Sequence, residues 1–457
     1  MKSLPTLTRR RFLRRAAGAA PALFVAPTLI PASVLGAEAP SGRIAMGCIG
    51  TGEQGTGVMG NFLAQRDARV VAVCDVNAPH AAQAKAKVDA KYQNQDCQVY
   101  RDFRELVARK DIDAVLIATP DHWHVLTAIA ALQSGKDVYL EKPLAVSLRE
   151  GQALRATVRQ HHRIFQFGTQ QRSSNHFRQA CEIVRNGRLG PLRQINVWAP
   201  GSNPGGSTEA APVPAGLDYE FWLGPAAWTP HTKDKCAFEF GRKTWWFNYD
   251  YTLGWLSGWG IHPLDIALWG AGDQLLKGRV EVRGSAVLPA RGACNTATSW
   301  DVDFDYDCGV KMKFLGRGDG LDKTPAAAVM QAWATRYQRD AGHGTAFEGR
   351  DGWVLVDRGG IRAQPEKLLE ESPDRYAVQL PRSSNHARNF LDSVKSRQPA
   401  ICPVAEAFQA DVLCHLSNTA TRLHRPVTWD LAREEFVDDG EATRFTNRRK
   451  IRAPWTL

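Results

Sequence analysis

The stretch Ile44-Ala45-Met46-Gly47-Cys48-Ile49-Gly50-Thr51-Gly52-Glu53-Gln54-Gly55 decides the fold of this 457-residue chain. Its first six residues are apolar or small, as in a buried parallel strand, and the glycines that follow are spaced Gly-x-Gly-x-x-Gly. Gly50 permits a tight turn, Gly52 lets the backbone approach a pyrophosphate, and Gly55 lets the next helix pack on the strand. The N-terminus of that helix attracts phosphate. The stretch therefore predicts a dinucleotide-binding turn.

Asp75 indicates which dinucleotide the turn binds. It ends the next apolar segment, twenty positions after Gly55. An acid there accepts hydrogen bonds from the adenosine ribose hydroxyls and repels a 2′-phosphate. We therefore expect NAD as the cofactor, with NADP bound less readily. A glycine turn without a ligand is the alternative.

Short apolar segments alternate with helical patterns between residues 43 and 170. The strand-like segments are Arg43–Ile49, Arg69–Cys74, Ala114–Ala118, Asp137–Leu140 and Ile164–Phe167. The helical patterns are Val58–Gln65, Ala78–Lys91, Phe103–Ala108, Val125–Ser134 and Leu148–His161. This alternation predicts an α/β domain over residues 41–168, a Rossmann-type doubly wound parallel sheet with right-handed crossovers.

The pattern changes after residue 170. Strand candidates with few helices between them are Arg193–Trp198, Arg279–Ala286, Ser299–Tyr306, Val310–Phe314 and Gly352–Asp357. Helical patterns are Asn175–Asn186, Asn385–Ser396 and Pro403–Leu423. We predict a C-terminal α+β domain over residues 169–457, with a mostly antiparallel sheet that serves substrate binding and oligomerisation.

The N-terminal segment predicts export. Thr8-Arg9-Arg10-Arg11-Phe12-Leu13-Arg14 is typical of a twin-arginine signal, and an apolar stretch, Ala16–Ile30, follows it. This stretch is shorter than the ~20 residues of a membrane span, so we expect a signal peptide over residues 1–37 and no stable membrane insertion. The protein would fold around its cofactor, bind the export machinery, and become periplasmic or secreted. An uncleaved membrane tether is the alternative.

Charge and composition argue against nucleic-acid and metal partners. The chain has 58 Lys and Arg against 47 Asp and Glu, but six of the basic residues lie in the leader. The rest is mildly basic and has no lysine-rich tract or nucleic-acid motif. His122 and His124 form a His-x-His pair without a matching third ligand, so we expect no metal.

Polar residues follow two predicted strands at the sheet edge where such folds bind ligands. Thr119 and Pro120 end the strand that begins at Ala114, and we expect both, with His124, to contact the cofactor. Glu141-Lys142-Pro143 ends the strand that begins at Asp137. Beside an oxidised nicotinamide, burial and a like charge disfavour the ammonium form, so Lys142 could take the proton of a substrate hydroxyl. Glu141 would hold the lysine; a surface strand end is the alternative.

A second candidate group lies in the C-terminal half. Pro263 fits the first position of a helix through Trp269, and His262 and Asp265 share one face of its start. His262 could relay a proton, and Asp265 could fix a hydroxyl or orient the imidazole. A capping histidine with a satisfied aspartate is the alternative.

Together these motifs resemble the glucose–fructose oxidoreductase, inositol dehydrogenase and MocA-type oxidoreductases over nearly the whole mature chain. The resemblance rests on the glycine turn, Ala118-Thr119-Pro120 with His124, Glu141-Lys142-Pro143, and Gly260-x-His262-x-x-Asp265. The Phe167–Arg172 run and Trp429-Asp430 look like the exported branch. The resemblance implies a large open C-terminal sheet, tightly held NAD or NADP, and sugar or cyclitol substrates. It implies catalytic roles for Lys142 and His262, with Asp265 behind the histidine, and a cis Lys142-Pro143 bond in many relatives. Family members often form homo-oligomers.

One position departs from the family pattern. Members similar to inositol dehydrogenase carry an aspartate four residues before the histidine, where this chain has Gly258. We expect oxidation or reduction of a secondary hydroxyl or ketone of a sugar, glycoside or cyclitol. Glycoside cleavage by transient oxidation and elimination, and a non-catalytic periplasmic sugar-binding protein, are the alternatives.

Overall fold

A six-stranded parallel sheet begins with the strand that leads into the glycine turn. The computed structural model describes residues 42–237, 244–371 and 376–457, so the predicted leader lies outside the described residues. The strands are β1 (Ile44–Ile49), β2 (Ala68–Cys74), β3 (Gln98–Tyr100), β4 (Ala114–Ile117), β5 (Asp137–Leu140) and β6 (Phe165–Phe167). Their order is β3-β2-β1-β4-β5-β6, and every neighbouring pair is parallel.

Helices connect these strands. They are α1 (Glu53–Leu63), α2 (Ala78–Tyr92), α3 (Phe103–Ala108), α4 (Asp121–Gln133) and α5 (Leu148–His161). Two begin earlier than the sequence predicts. The predicted start of α1 at Val58 is wrong because the helix begins at Glu53, directly after Gly52, so that Gly55 of the turn already lies within it. The start of α4 at Val125 is wrong because Pro120 is the N-cap residue.

A nine-stranded sheet forms the second layer. Its strands are β7 (Leu192–Pro200), β8 (Arg279–Val287), β9 (Ser299–Tyr306), β10 (Lys311–Arg317), β11 (Gly344–Gly349), β12 (Trp353–Asp357), β13 (Gly360–Gln364), β14 (Val427–Asp430) and β15 (Glu435–Phe436). The order is β13-β12-β11-β7-β10-β9-β8-β14-β15, with β7 and β10 parallel and the other pairs antiparallel. The predicted α/β fold with a mostly antiparallel second sheet is confirmed.

The described residues contain eight further α-helices. They are α6 (Asn175–Arg185), α7 (Tyr219–Leu223), α8 (Trp255–Gly258), α9 (Ile261–Ala271), α10 (Ala326–Arg336), α11 (His386–Ser396), α12 (Val404–Leu423) and α13 (Gly440–Thr446). Every residue of α9 is buried, because this helix packs against α6, α12, β7 and β11. No described helix is long and apolar enough to cross a membrane.

One apolar core joins the two sheets. It contains Ile49 and Ile117 of the parallel sheet as well as Val280 and Phe304 of the nine-stranded sheet. The chain from Ile44 to Leu457 clusters as one compact unit. The domain boundary between residues 168 and 169 therefore stays a prediction.

Candidate active site

Steric contacts require glycine at two positions of the turn after β1. Gly50 has a φ of +80°, and a Cβ there would lie 2.6 Å from the carbonyl carbon and oxygen of Ala118. A Cβ on Gly55 would lie 1.9 Å from the Gly50 carbonyl oxygen. Gly52 caps α1 without a side-chain hydrogen bond, so the helix presents its N-terminal dipole to whatever lies above the turn.

The Asp75 carboxylate faces the glycine turn from the end of β2. Its Oδ2 accepts hydrogen bonds from the N–H of Thr51 at 2.7 Å and from the Thr51 hydroxyl at 3.2 Å. Its Oδ1 accepts from the N–H of Asn77 at 2.9 Å. Because a carboxylate oxygen accepts two hydrogen bonds, Oδ1 retains capacity for a ribose hydroxyl. The three turn glycines and Asp75 line one cleft of about 980 Å³, which we name the dinucleotide cleft.

Aromatic residues of the second half of the chain complete the wall of the dinucleotide cleft. Phe221 and Trp222 of α7 line it. Helix α7 is fastened to α4, because His122 Nε2 and Trp123 Nε1 each lie 3.0 Å from the Trp222 carbonyl oxygen. The cleft thus combines backbone donors for phosphate, an acid for ribose, and flat apolar surfaces for rings. This set of residues fits a dinucleotide.

A second cavity of about 540 Å³, which we name the reaction pocket, continues from the dinucleotide cleft. The side chains of Gln54, Thr119, Trp245 and Trp246 line both cavities. The Thr119 hydroxyl is buried and has no hydrogen-bond partner among the described residues, as expected of a group that binds a ligand. The remaining wall of the reaction pocket includes Asp121, His124, Glu141, Lys142, Trp255 and Trp259.

His124 joins the ends of two strands. Its Nδ1 lies 2.6 Å from the Pro143 carbonyl oxygen, and its Nε2 lies 2.9 Å from the Thr119 carbonyl oxygen. Burial lowers the pKa of His124 to about 4, and the charge of Lys142 acts in the same direction. The imidazole therefore positions the turn that carries Lys142. Pro120 lines the dinucleotide cleft, His124 lines the reaction pocket, and Thr119 lines both.

Glu141 and Lys142 enter the reaction pocket together at the end of β5. Glu141 is 2% exposed, and its Oε1 accepts a hydrogen bond from Gln170 Nε2 at 2.7 Å. Its Oε2 accepts from the backbone N–H of Lys142 at 3.3 Å. Burial raises the pKa of Glu141, and the charge of Lys142 opposes that rise. The peptide bond between Lys142 and Pro143 is cis.

His262 lies at the start of α9, behind Trp259. The two rings are 5.7 Å apart in an edge-to-face arrangement, and His262 is 3% exposed. Its Nδ1 has no hydrogen-bond partner within the described part of the chain. Burial, followed by the charges of Arg358 and Lys142, lowers the pKa of His262 well below its usual value. A neutral imidazole of this kind can accept a proton.

Asp265 lies away from the His262 ring and is bound by an arginine. Arg172 donates from Nε and Nη2 to the two carboxylate oxygens, and no hydrogen bond joins Asp265 to His262. Burial raises the pKa of Asp265, whereas Arg172 opposes that rise. The structure thus brings Lys142 into the reaction pocket, places His262 next to its Trp259 wall, and leaves Asp265 in the interior.

Several site residues have little signal in the sequence. Asp121 lines the reaction pocket and is 5% exposed, yet at the start of a helix an acid usually serves only the helix dipole. Trp245 and Trp246 fall in a segment without strand or helix periodicity. Arg172 belongs to the Phe167–Arg172 run, where its role as the partner of Asp265 depends on tertiary structure.

The described residues contain no group of three or more His, Cys, Asp or Glu side chains arranged to hold a metal ion. The contact of His122 with the Trp222 carbonyl and those of His124 with two carbonyls instead connect backbone segments.

Solved structures show the same fold. A scyllo-inositol dehydrogenase from Lactobacillus casei with bound NAD(H) and scyllo-inositol superposes with a TM-score of 0.55 at 17% identity, covering 84% of this chain and 99% of that one. An aldose–aldose oxidoreductase from Caulobacter crescentus complexed with glycerol gives a TM-score of 0.59 at 17% identity, covering 84% and 99%.

Curated relatives match over a shorter segment. A glycosyl hydrolase family 109 protein of Solibacter usitatus is 34% identical over 116 residues, 24% of this chain and 26% of the relative. A 2,7-anhydro-N-acetylneuraminate hydratase of Mediterraneibacter gnavus is 31% identical over 144 residues, 32% of this chain and 36% of the relative. The chain thus spans about a quarter to a third of the length of these proteins.

Two family models together cover most of the chain. One, described as an oxidoreductase family with an NAD-binding Rossmann fold, matches residues 44–169. The other, described as the C-terminal alpha/beta domain of the oxidoreductase family, matches residues 200–330 and 369–457. With the glycine turn, the two sheets and the adjoining cavities in place, these matches show that the chain belongs to the Gfo/Idh/MocA oxidoreductase family.

Proposed function

We propose that this protein is an exported oxidoreductase that holds NAD tightly and oxidises or reduces a secondary hydroxyl or ketone of a sugar, glycoside or cyclitol. The main observation in support is that the reaction pocket, which contains Lys142, shares wall residues with the dinucleotide cleft. A nicotinamide bound there supplies hydride exchange. The protein's own residues supply binding, orientation and proton transfer.

Lys142 is the leading base in this proposal. Glu141, buried beside it and held by Gln170, fixes the lysine backbone, and His124 fixes the turn that follows. Lys142 takes the proton of the substrate hydroxyl during oxidation and returns it during reduction. His262, kept neutral by burial, offers a second proton acceptor on the Trp259 side.

Four tryptophans define the shape of the reaction pocket: Trp245, Trp246, Trp255 and Trp259. Flat apolar faces suit the C–H faces of a sugar or cyclitol ring, and they exclude water from the reacting carbon. Asp75 supports NAD over NADP, because a 2′-phosphate beside it would meet a like charge. The twin-arginine motif supports export with the cofactor already bound and recycled in place by a second substrate.

Identification of the bound nucleotide tests this proposal. Full-length protein is purified, denatured, and the released nucleotide is identified by absorbance and mass. We expect NAD or NADH near one per chain. Protein that carries no nucleotide and needs added NAD for every turnover would contradict the proposal of a retained cofactor.

Replacement of Lys142 tests the assigned base. We expect Lys142→Met to lower turnover by about 10²–10⁴-fold while the bound nucleotide remains, because the side chain acts on the substrate proton. Lys110→Met, at an exposed position of the same sheet layer, serves as the control. Full activity in Lys142→Met removes this residue from the mechanism.

Glycoside cleavage through transient oxidation and elimination is a second candidate. The activities of the glycosyl hydrolase and hydratase relatives favour it, and it uses the same pocket and the same base. Product masses separate the two reactions: oxidoreduction changes the substrate by two hydrogens, whereas elimination releases a sugar unit or adds water. Elimination in D₂O also leaves deuterium on the carbon next to the oxidised one.

A further inference from the structure

Arg358 is an exposed residue beside Trp259, which lines the reaction pocket, and it has no acidic hydrogen-bond partner within the described residues. It occupies the turn between β12 and β13, and its guanidinium carbon is 4.5 Å from the ring centroid of Trp259. Within the described residues it makes no hydrogen bond and no ion pair with a side chain. The adjacent Asp357 is not available to it, because Arg339 binds both Asp357 oxygens at 2.7 Å.

The electrostatics around Trp259 also favour an anion. The two charges that act most strongly on the pKa of His262 are those of Arg358 and Lys142, and both are positive. The His343 ring is 4.9 Å from Trp259, and its Nε2 lacks a hydrogen-bond partner in the described part of the chain, as does Nδ1 of the buried His262. A negative group placed here would meet the Arg358 guanidinium, whose N–H groups have no hydrogen-bond partner within the described residues.

We propose that Arg358 binds an oxyanion carried by the substrate, so that the sugar processed here is a sugar acid or a sugar phosphate. This inference rests on the proposed function and names its substrate class. A guanidinium offers two parallel N–H groups that match a carboxylate or phosphate, and stacking on Trp259 holds the guanidinium plane in place. The substrate ring would lie against the pocket tryptophans, with its acidic group at the rim and its reacting carbon at Lys142.

Binding of matched sugar pairs tests the inference without turnover. Full-length protein saturated with NAD is titrated calorimetrically at low salt with glucuronate against glucose, galacturonate against galactose, and glucose 6-phosphate against glucose. We expect at least one acid to bind about tenfold more tightly than its neutral partner. Arg358→Met should remove this preference and leave affinity for the neutral sugar within twofold. Arg362→Met, exposed on β13, is the matched control and should retain the preference.

The outcomes separate this inference from the proposed function. Preference for a uronate identifies a carboxylate, and preference for the phosphate identifies a phosphate ester; both support an oxyanion site. The inference is overturned if no acid binds more tightly than its neutral partner, or if Arg358→Met leaves the preference unchanged. If the proposed function is wrong, sugars that bind to the protein will not exchange hydride with NAD.

Discussion

Arg172 holds Asp265 through two parallel hydrogen bonds, from Nε to Oδ2 at 2.7 Å and from Nη2 to Oδ1 at 2.6 Å. Both side chains are at most 2% exposed. Arg172 follows β6, and Asp265 lies one turn after His262 on α9, so the pair connects the parallel sheet to the helix that carries the histidine. We therefore propose that Asp265 acts as a positioning residue.

Removal of the Asp265 carboxylate should destabilise the fold. In Asp265→Ala the buried Arg172 guanidinium loses two hydrogen bonds but keeps Glu406 as an acidic partner, so the free energy of unfolding, measured by urea denaturation, should fall by about 1–3 kcal/mol. The double variant Arg172→Met/Asp265→Leu should regain part of the loss. Unchanged stability together with lost turnover would contradict a positioning role.

Two glycine-to-alanine substitutions in α1 should distinguish a glycine that the cofactor-binding turn requires from a glycine at an ordinary helix position. Gly55→Ala places a methyl group 1.9 Å from the Gly50 carbonyl oxygen, so we expect loss of bound NAD and a lower melting temperature. Gly57→Ala is the matched control: its Cβ meets no atom within 4 Å, and it should stabilise the helix by up to about 1 kcal/mol. Equal nucleotide content in both variants would exclude the steric requirement at Gly55.

Asp121 should make stability depend on pH near neutrality. Burial raises the pKa of this carboxyl to about 7, against the opposing hydrogen bond from Thr252 and the charges of Lys142 and Arg449. The folded protein keeps the Asp121 proton at pH values where the unfolded chain, with a pKa of about 3.9, has lost it. This contribution to stability is complete below about pH 4 and is lost as pH rises to about 7.

Asp121→Asn should remove that dependence. The melting temperature of the variant minus that of the wild type should increase between pH 5 and pH 8, at constant ionic strength and with NAD in excess. The buried His124 and His386, each with a pKa lowered to about 4 mainly by burial, are common to both proteins and cancel in the difference. A difference that is flat over this range would show that Asp121 titrates normally.

Asp75 should control the choice of dinucleotide. Asp75→Asn removes the negative charge and keeps a side-chain oxygen for the Thr51 N–H, so the ratio of NADP to NAD affinity should rise by about tenfold or more. Asp96→Asn, an exposed acid paired with Arg69, is the control. An unchanged ratio in Asp75→Asn would show that the 2′-position lies elsewhere.

The sequence predicts those elements whose signal is local. Strands β4 and β5 are buried along their whole length and are apolar apart from Asp137 at the start of β5, so their positions are predictable. Strand β3 is missed because two of its three residues are exposed at the sheet edge. Strands β11 and β13 are missed because glycines at their ends weaken the alternating pattern that indicates a half-buried strand.

The candidate active site shows the same difference between residues with a local sequence signal and residues without one. Lys142 is predictable because it directly follows a buried strand whose carboxyl end faces the ligand. The partner of Asp265 is not, since Arg172 lies 93 positions earlier and no spacing rule connects them. Arg358 lies in the two-residue turn between β12 and β13. Its contact with Trp259, which is distant in the sequence, depends on tertiary structure.

Trp245 and Trp246 belong to both cavities, and this shared wall bears on the order of events in a catalytic cycle. A coenzyme in the dinucleotide cleft would contact the same two indoles that form a wall of the reaction pocket. We therefore expect ordered binding, with the coenzyme first and the sugar second. The bound sugar would then slow dissociation of the coenzyme. Slower dissociation of this kind would keep the coenzyme bound from one turnover to the next.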